Sequence, residues 1–350
     1  MQGLFNLGFT CAINSLIQII CKNDLMRNIV LNCDLGDDTL ISNLKEVIIL
    51  MCINNKAISP NKFVANIYSK FEGIFSYGEQ LDITELWIFM NEKIIEELNG
   101  SPNHHNLLLD YDNIDAKYKV LNGIIYDDYN SYMNALKNSK YLNEKYIYHY
   151  VTHSKNKISM WQSTTEGFLL NITKCKKCNY TLYDFEPICA LHMNIPENIE
   201  NPTIVHMLQE LLIENNYSND WNCDNCKEKT DYVKTSKIWS LPDVLFIIIN
   251  RFINPNIKNT KPVYINDALC FNTGTILSHA DIEKNYKLSS VALHSGNATS
   301  GHYMAICSTQ INEKGDNTFL LYNDEQILNA GDFLQNNSEA YMLVYNAITS

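Results

Sequence analysis

Residues 3–20 read GLFNLGFTCAINSLIQII, a glycine-punctuated loop that runs into an apolar stretch. Ile13, Leu16, Ile17 and Ile20 share one face of a helical projection, so 11–20 is predicted as a helix with one buried stripe. Thr10 stands where an N-cap belongs, which puts Cys11 in the first turn. A helix N-terminus carries partial positive charge and free N–H groups, and both favour a thiolate over a thiol. The same N–H groups can stabilise an oxyanion, and Asn6, five residues upstream, is placed to fold back and donate a further hydrogen bond. Cys11 is therefore a candidate nucleophile; a cysteine packed under a helix is the plainer alternative.

Further along the chain, 39–54 and 81–98 carry helical periodicity, and Asn99-Gly100-Ser101-Pro102 stops the second of these. Residues 101–160 are polar, tyrosine-rich and weakly periodic, and read as an insertion or a loosely ordered helical segment. From 168 the texture changes. Short apolar runs alternate with turns: FLLNIT, TLYDFEPI, VLFIIIN, YKLSSVALHS, GHYMAICS, FLLYN and AYMLVYN. These read as strands. Helices first and strands after predict an α+β fold.

Three further constellations carry chemistry. The polar loop 296–301 leads into a predicted strand at His302, whose ordinary pKa suits it to take and return a proton. His294, at the other side of the loop, competes for that role on composition alone. Tyr322-Asn323-Asp324-Glu325 offers a carboxamide or carboxylate that can hold the far imidazole nitrogen, though Asn-Asp is also an ordinary turn. The order cysteine, histidine, Asn/Asp is that of papain-like enzymes. Finally, Cys175-Lys-Lys-Cys178 and Cys223-Asp-Asn-Cys226 are two matched pairs with 44 residues (179 to 222) between them. Four thiolates fill a tetrahedral zinc site and leave no position for water, so the predicted role is structural.

Composition bounds the function classes. The 350-residue chain is 46% hydrophobic and 19% charged, as in a folded globular protein. A formal net charge of -12 disfavours a general nucleic-acid binder, which needs a cationic face. Eleven scattered cysteines do not make the even, dense pattern of a secreted disulfide framework, and point to a reducing compartment, cytoplasmic or nuclear. Residues 1–21 lack charged side chains but also lack a basic n-region, and Gln2, Asn6, Thr10, Asn14, Ser15 and Gln18 interrupt the apolar run, which argues against a signal peptide. The other apolar runs, such as 244–249, are too short to span a bilayer, so no membrane partner is expected.

Together these segments resemble the ubiquitin-specific protease family. GLFNLGFTCAINSLIQ is similar to its cysteine box, VALHSGNATSGHYMAI to its histidine box, and LLYNDEQI to the Asn/Asp element that follows. EQLDITELW at 79–87 resembles the family's Q-Q-D-A-x-E-F-L segment, KIWSLPDVLFIIINRF at 237–252 its L-P-x-V-L stretch, and AYMLVYN its last strand. The resemblance implies one papain-like catalytic domain over 1–350, with a helical thumb (1–160, insertion at about 101–160), zinc-ribbon fingers (168–236) and a β palm (237–350). It implies a deubiquitinase that cleaves after the C-terminal glycine of ubiquitin. Cys11 matches the nucleophile, His302 the base, Asn323 the residue orienting the base, Asn6 the oxyanion donor and Asp324 the neighbouring acid. Asp82 and Glu85 match acids that face the basic ubiquitin tail, and Gly301 and Tyr303 lie beside the base as substrate-binding candidates. Cys175, Cys178, Cys223 and Cys226 match the ligands of one structural Zn2+; no cofactor is expected for catalysis.

Ubiquitin and ubiquitinated proteins are the implied partners, and a monomer is expected. The box starts at Gly3, from which no separate N-terminal targeting domain is expected. Phe9 stands where the family often has Asn or a small residue, Ala12 where an aromatic is common, and Leu81, Ile83 and Thr84 also depart from the pattern. Two alternatives remain open: a catalytically impaired ubiquitin-binding module, and a protease for another ubiquitin-like modifier.

Overall fold

In the computed structural model the residues described are 2–101, 104–106, 140–155, 157–271, 284–311, 317–335 and 337–348. Five helices open the chain: α1 (Cys11–Lys22), α2 (Asp24–Asn32), α3 (Leu40–Ile53), α4 (Asn61–Lys70) and α5 (Ile83–Asn99). They pack on one face of an eight-stranded sheet. Its order is β15 (Gln326–Asn329), β14 (Asn317–Asn323), β13 (Gly301–Ile311), β12 (Lys284–Gly296), β16 (Ala340–Ala347), β8 (Val244–Ile249) and β5 (Leu191–Met193), with β11 (Ala268–Phe271) also pairing with β12. All neighbours are antiparallel except β5 and β8. The mixed helix-and-sheet fold expected from the sequence is the one observed.

Strand β8 shows why the sheet forms where it does. Val244, Phe246 and Ile248 face the helices, while Leu245, Ile247 and Ile249 face a second core. Side chains alternate across a strand, so an unbroken apolar run marks a strand covered on both sides. The second core is closed by α8 (Ile204–Leu211), whose Ile204, Met207 and Leu208 pack there. On the helical side the Trp87 ring of α5 stacks on Phe246, centroids 3.8 Å apart, and its indole N–H donates to Cys189 O at 3.1 Å.

Helix α1 lies deeper than its sequence stripe suggested. Every residue from Cys11 to Cys21 is buried, including Asn14, Ser15 and Gln18. Two of them donate to the chain's own start: Gln18 Nε2 to Gln2 O at 2.9 Å, and Asn14 Nδ2 to Phe5 O at 3.3 Å.

A separate four-stranded antiparallel sheet has the order β4 (Thr181–Ile188), β3 (Gly167–Cys175), β7 (Glu228–Ser240), β6 (Asn215–Cys223). The interval assigned to the fingers, 168–236, thus contains β5 and α8, which belong to the larger sheet and its second core. Of the stretch 101–160, residues 102–103, 107–139 and 156 lie outside the described residues. The described part holds β1 (His104–Asn106) paired with β2 (Lys157–Ser159), and α6 (Lys140–His153); α7 (Met160–Thr165) follows directly. Leu142, Tyr146 and Tyr150 of α6 pack on Phe168, Phe185 and Trp239 at the base of the four-stranded sheet. Among the described residues no helix is long and apolar enough to cross a membrane.

Candidate active site

The loop before α1 is organised by one side chain. Asn6 Oδ1 accepts hydrogen bonds from Gly8 N (3.0 Å), Thr10 N (3.2 Å) and Thr10 Oγ1 (3.3 Å). Gly8 (φ 95) and Phe9 (φ 56) both adopt left-handed backbone, and the Phe9 ring is 51% exposed. Left-handed φ is disfavoured for a residue with a Cβ, so the exposed aromatic here carries strain. Thr10 does occupy the N-cap position of α1, but its hydroxyl makes no capping bond to the helix. It accepts instead from Leu7 N at 2.9 Å. The first-turn N–H groups are therefore not closed off by the Thr10 hydroxyl.

Cys11 opens α1 and is 5% exposed. Opposite it, at the start of β13, lies His302. Its Nε2 is 2.7 Å from Asn323 Oδ1 at the end of β14. With Nε2 engaged there, Nδ1 is the nitrogen left for the sulfur. A hydrogen bond with the Cys11 side chain raises the His302 pKa and desolvation lowers it. The bond to Asn323 and the charges of Cys11 and Asp324 add to the rise, which reaches about 9. His302 is thus held in the protonated form at neutral pH by a sulfur on one side and a carboxamide oxygen on the other.

His294, the competing histidine, is buried among Phe252, Tyr303 and Tyr341. Desolvation, with the Lys258 charge beside it, pushes its pKa down to about 4. It stays neutral and faces the aromatic cluster behind the loop.

Asp324 (φ 51) lies 3.9 Å from His302 Nε2, too far for a hydrogen bond. Its carboxylate accepts from Asn6 Nδ2 (2.9 Å) and Asn14 Nδ2 (2.8 Å), and its carbonyl from Leu4 N (2.9 Å). Asn6 was expected to donate to an oxyanion; here one N–H of its amide goes to Asp324 and the same nitrogen keeps a second. Asn14 was quoted within the cysteine box without a task, and it is the buried tie between that box and Asp324. Its place in the first turn of α1 was a usable signal, since a polar residue beside Ile13 and Leu16 needs a partner.

Of the acids expected to meet a basic tail, the two differ. Asp82 Oδ1 caps α5 through Thr84 N (2.7 Å) and Glu85 N (3.2 Å). Its Oδ2 accepts from Tyr341 OH (2.8 Å) and Tyr303 OH (3.2 Å). Both oxygens are occupied inside the protein, and Tyr303 is buried by the same contacts. Glu85 is exposed one turn further on. Gly301 lies on the backbone immediately before His302. Sequence reading passed over Gln80, whose amide bonds Gly301 at both backbone atoms, Nε2 to O at 2.7 Å and Oε1 from N at 3.0 Å.

At the far end of the four-stranded sheet the four cysteines converge. Their sulfurs lie within 4.8 Å of one another, with Cys175–Cys226 at 3.9 Å and Cys178–Cys223 at 3.6 Å. A tetrahedron with metal–sulfur bonds of about 2.3 Å has edges of roughly 3.8 Å, which these two separations match, so the four thiols suit a tetrahedral ion. The two C-x-x-C turns are built alike. Asn179 N bonds Cys175 O at 3.0 Å and Lys227 N bonds Cys223 O at 2.8 Å, and both Asn179 (φ 59) and Lys227 (φ 58) are left-handed. Burial opposes ionisation of Cys178, but hydrogen bonds from Asn225, the Tyr180 backbone and the neighbouring cysteines bring its pKa down to about 6.

The family model for ubiquitin carboxyl-terminal hydrolase matches residues 2–345. Ubiquitin carboxyl-terminal hydrolase 21 of Mus musculus is 23% identical over 363 residues, covering 98% of this chain and 61% of that protein; the Homo sapiens protein of the same name gives the same figures. Ubiquitin carboxyl-terminal hydrolase 4 of Saccharomyces cerevisiae is 24% identical over 387 residues, covering 99% of this chain and 39% of that protein. The chain therefore spans less than two thirds of the length of these relatives. A chain in the structure of the yeast SAGA DUBm with a mutant Sgf73 superposes with a TM-score of 0.69 at 16% identity, over 100% of this chain and 69% of that one. With the model match running from before Cys11 to beyond Asn323, the chain belongs to the ubiquitin carboxyl-terminal hydrolase family, a family of cysteine peptidases.

Proposed function

We propose that the chain is a thiol-dependent deubiquitinase that hydrolyses the bond after the C-terminal glycine of ubiquitin. The observation that carries this reading is His302 bonded between the Cys11 side chain and Asn323, at the N-terminus of a buried helix. The proton given up by Cys11 is held on His302, and the sulfur attacks the terminal glycine carbonyl. The first-turn N–H groups of α1 and the second N–H of Asn6 face the developing oxyanion. His302 then gives its proton to the departing amine as the carbon–nitrogen bond breaks. Water, deprotonated by His302, attacks the thioester and releases ubiquitin and the Cys11 thiol. Asn323 fixes the imidazole, and Asp324 holds Asn6 by a hydrogen bond and reaches the ring by its charge alone.

Glu85, exposed beside the cleft, is the acid that meets the basic tail of ubiquitin; Asp82 and Tyr303 shape the wall behind it, and Gly301 brings bare backbone to the cleft. Cys175, Cys178, Cys223 and Cys226 would hold one Zn2+ that supplies structure to the fingertips and no chemistry to the cleft. The N-terminal helices act as the thumb, the four-stranded sheet as the fingers and the eight-stranded sheet as the palm, with α6 bracing the fingers. Ubiquitin and ubiquitinated proteins are the partners of a monomer working in a reducing compartment, cytoplasmic or nuclear.

The test is a ubiquitin probe with a C-terminal electrophile, followed by mapping of the adduct. Attachment at Cys11, absent in Cys11→Ala, is expected. Non-covalent binding without an adduct, or reaction only with another modifier's probe, would overturn the proposal.

A further inference from the structure

The loop before His302 is closed within itself by Asn297, whose Oδ1 accepts from Thr299 N at 2.9 Å and Ser300 N at 2.8 Å, but glycines flank it on both sides. Gly296 is left-handed (φ 113) and sits at one end of the loop, and Gly301 sits at the other. Gly301 cannot be replaced by a residue that would restrain it, because an added Cβ would collide with the His294 imidazole and the Ser295 carbonyl. Two glycines leave the backbone more freedom than any other pair of residues would. On one side β13 pairs with β12, through Ser295↔His302 and Gly296↔Gly301. On the other side its pairing with β14 begins only at Ala305↔Tyr322. Among the described residues, the edge of β13 at Gly301 therefore has no neighbouring strand.

Gln80 fills that gap. Its carboxamide gives Nε2–H to Gly301 O and takes Gly301 N–H on Oε1, the exchange of two bonds that an opposing strand residue makes in an antiparallel ladder. The two residues are 221 positions apart. Gln80 is itself placed by the start of α5, where Asp82 caps the helix and grips Tyr303 and Tyr341. Lys258 steadies the far end of the loop, its ammonium donating to His294 O and to Gly296 O.

We infer that Gln80 is a positioning residue: by standing in for a missing strand at Gly301 it fixes the backbone from which His302 reaches Cys11. This rests on the role proposed above for His302. Gln80 touches neither sulfur nor imidazole and acts through Gly301.

Two measurements test it, one of which needs no substrate. Histidine NMR follows the titration of His302, which Cys11 and Asp324 face directly and His294 faces across the loop. Gln80→Ala and Gln80→Met, the latter keeping side-chain length without either polar contact, are expected to move the His302 midpoint down towards its ordinary value. Both are expected to lower kcat on a ubiquitin C-terminal fluorogenic substrate about tenfold with KM within about twofold, since misplacing a proton-transfer group affects the chemical step. Gln80→Glu, which can accept from Gly301 N but cannot donate to Gly301 O, should fall between. Unchanged His302 titration and kcat in Ala and Met overturn the inference, as does a lower KM at unchanged kcat, which would make Gln80 a competitor of the substrate. Failure of the wild-type protein to form the Cys11 adduct with the ubiquitin probe would instead overturn the proposed function, and this inference with it.

Discussion

At the residue scale the site is a set of side chains each fixed by two or more partners, and each makes a separable prediction. Because the Cys11 hydrogen bond is the largest influence raising the His302 pKa, Cys11→Ala should return the His302 titration from about 9 towards 6.5. The same variant should lose activity by roughly 10³-fold or more. Histidine NMR and turnover assays read the two. Phe9 offers a test of strain. Its φ of 56 suits Asn or Gly better than Phe, so Phe9→Gly should stabilise the protein by about 1 kcal/mol in urea unfolding. A loss of stability would show that the ring packs usefully. What the sequence makes legible at this scale is uneven. Cys11, Asn6 and Thr10 lie within six residues and could be read together. The bonds Asn14–Asp324 and Gln80–Gly301 join residues 310 and 221 positions apart, and no local pattern announces them. Asp82 reads as a surface acid because the tyrosines that occupy it, Tyr303 and Tyr341, come from strands far along the chain.

At the scale of elements, periodicity made α1, α3 and α5 legible, and the apolar runs marked β8, β12, β13 and β16. Helix α6 was legible only as one of two readings of 101–160, because tyrosines rather than an aliphatic stripe do most of its packing: Tyr146 and Tyr150 make ring contacts with Phe168, Phe185 and Trp239. A buried lysine on the same helix, Lys145, bonds Tyr183 O and further blurs the pattern. The fingertip is an element whose own core is thin, with Tyr180 the one large side chain buried beside Cys175 and Cys223. So small a cluster does not supply enough apolar burial to hold a sheet end by itself. Cys175→Ser/Cys223→Ser should lose one equivalent of zinc by metal analysis. Hydrogen exchange should rise across β6 and the tip of β7, while the α1–β13 region keeps its protection. Lys227→Gly, at a left-handed knuckle, should stabilise the metal-bound fingertip by about 1 kcal/mol.

At the scale of the whole molecule the two loop histidines set opposite pH dependences. His294 has a depressed pKa of about 4, so the unfolded chain binds the extra proton and stability falls as pH drops from about 6.5 towards 4. His302 has a raised pKa of about 9, so the folded chain binds the extra proton. Its contribution is complete below about 6.5 and is lost as pH rises through 9. Urea unfolding across this range should show that His302→Ala flattens the alkaline slope and leaves the acid slope in place. The order of the sheet has a larger consequence. β16 at residues 340–347 lies between β12 and β8, in the middle of the sheet, while Asp324 and Asn323 clasp the loop that begins at Leu4. During synthesis Cys11 is therefore made 291 residues before His302, and earlier still than Asn323 and Asp324. A nascent chain that has not yet reached His302 and β16 holds Cys11 without its imidazole partner and a sheet without its central strand, so that pair cannot assemble until those residues have emerged.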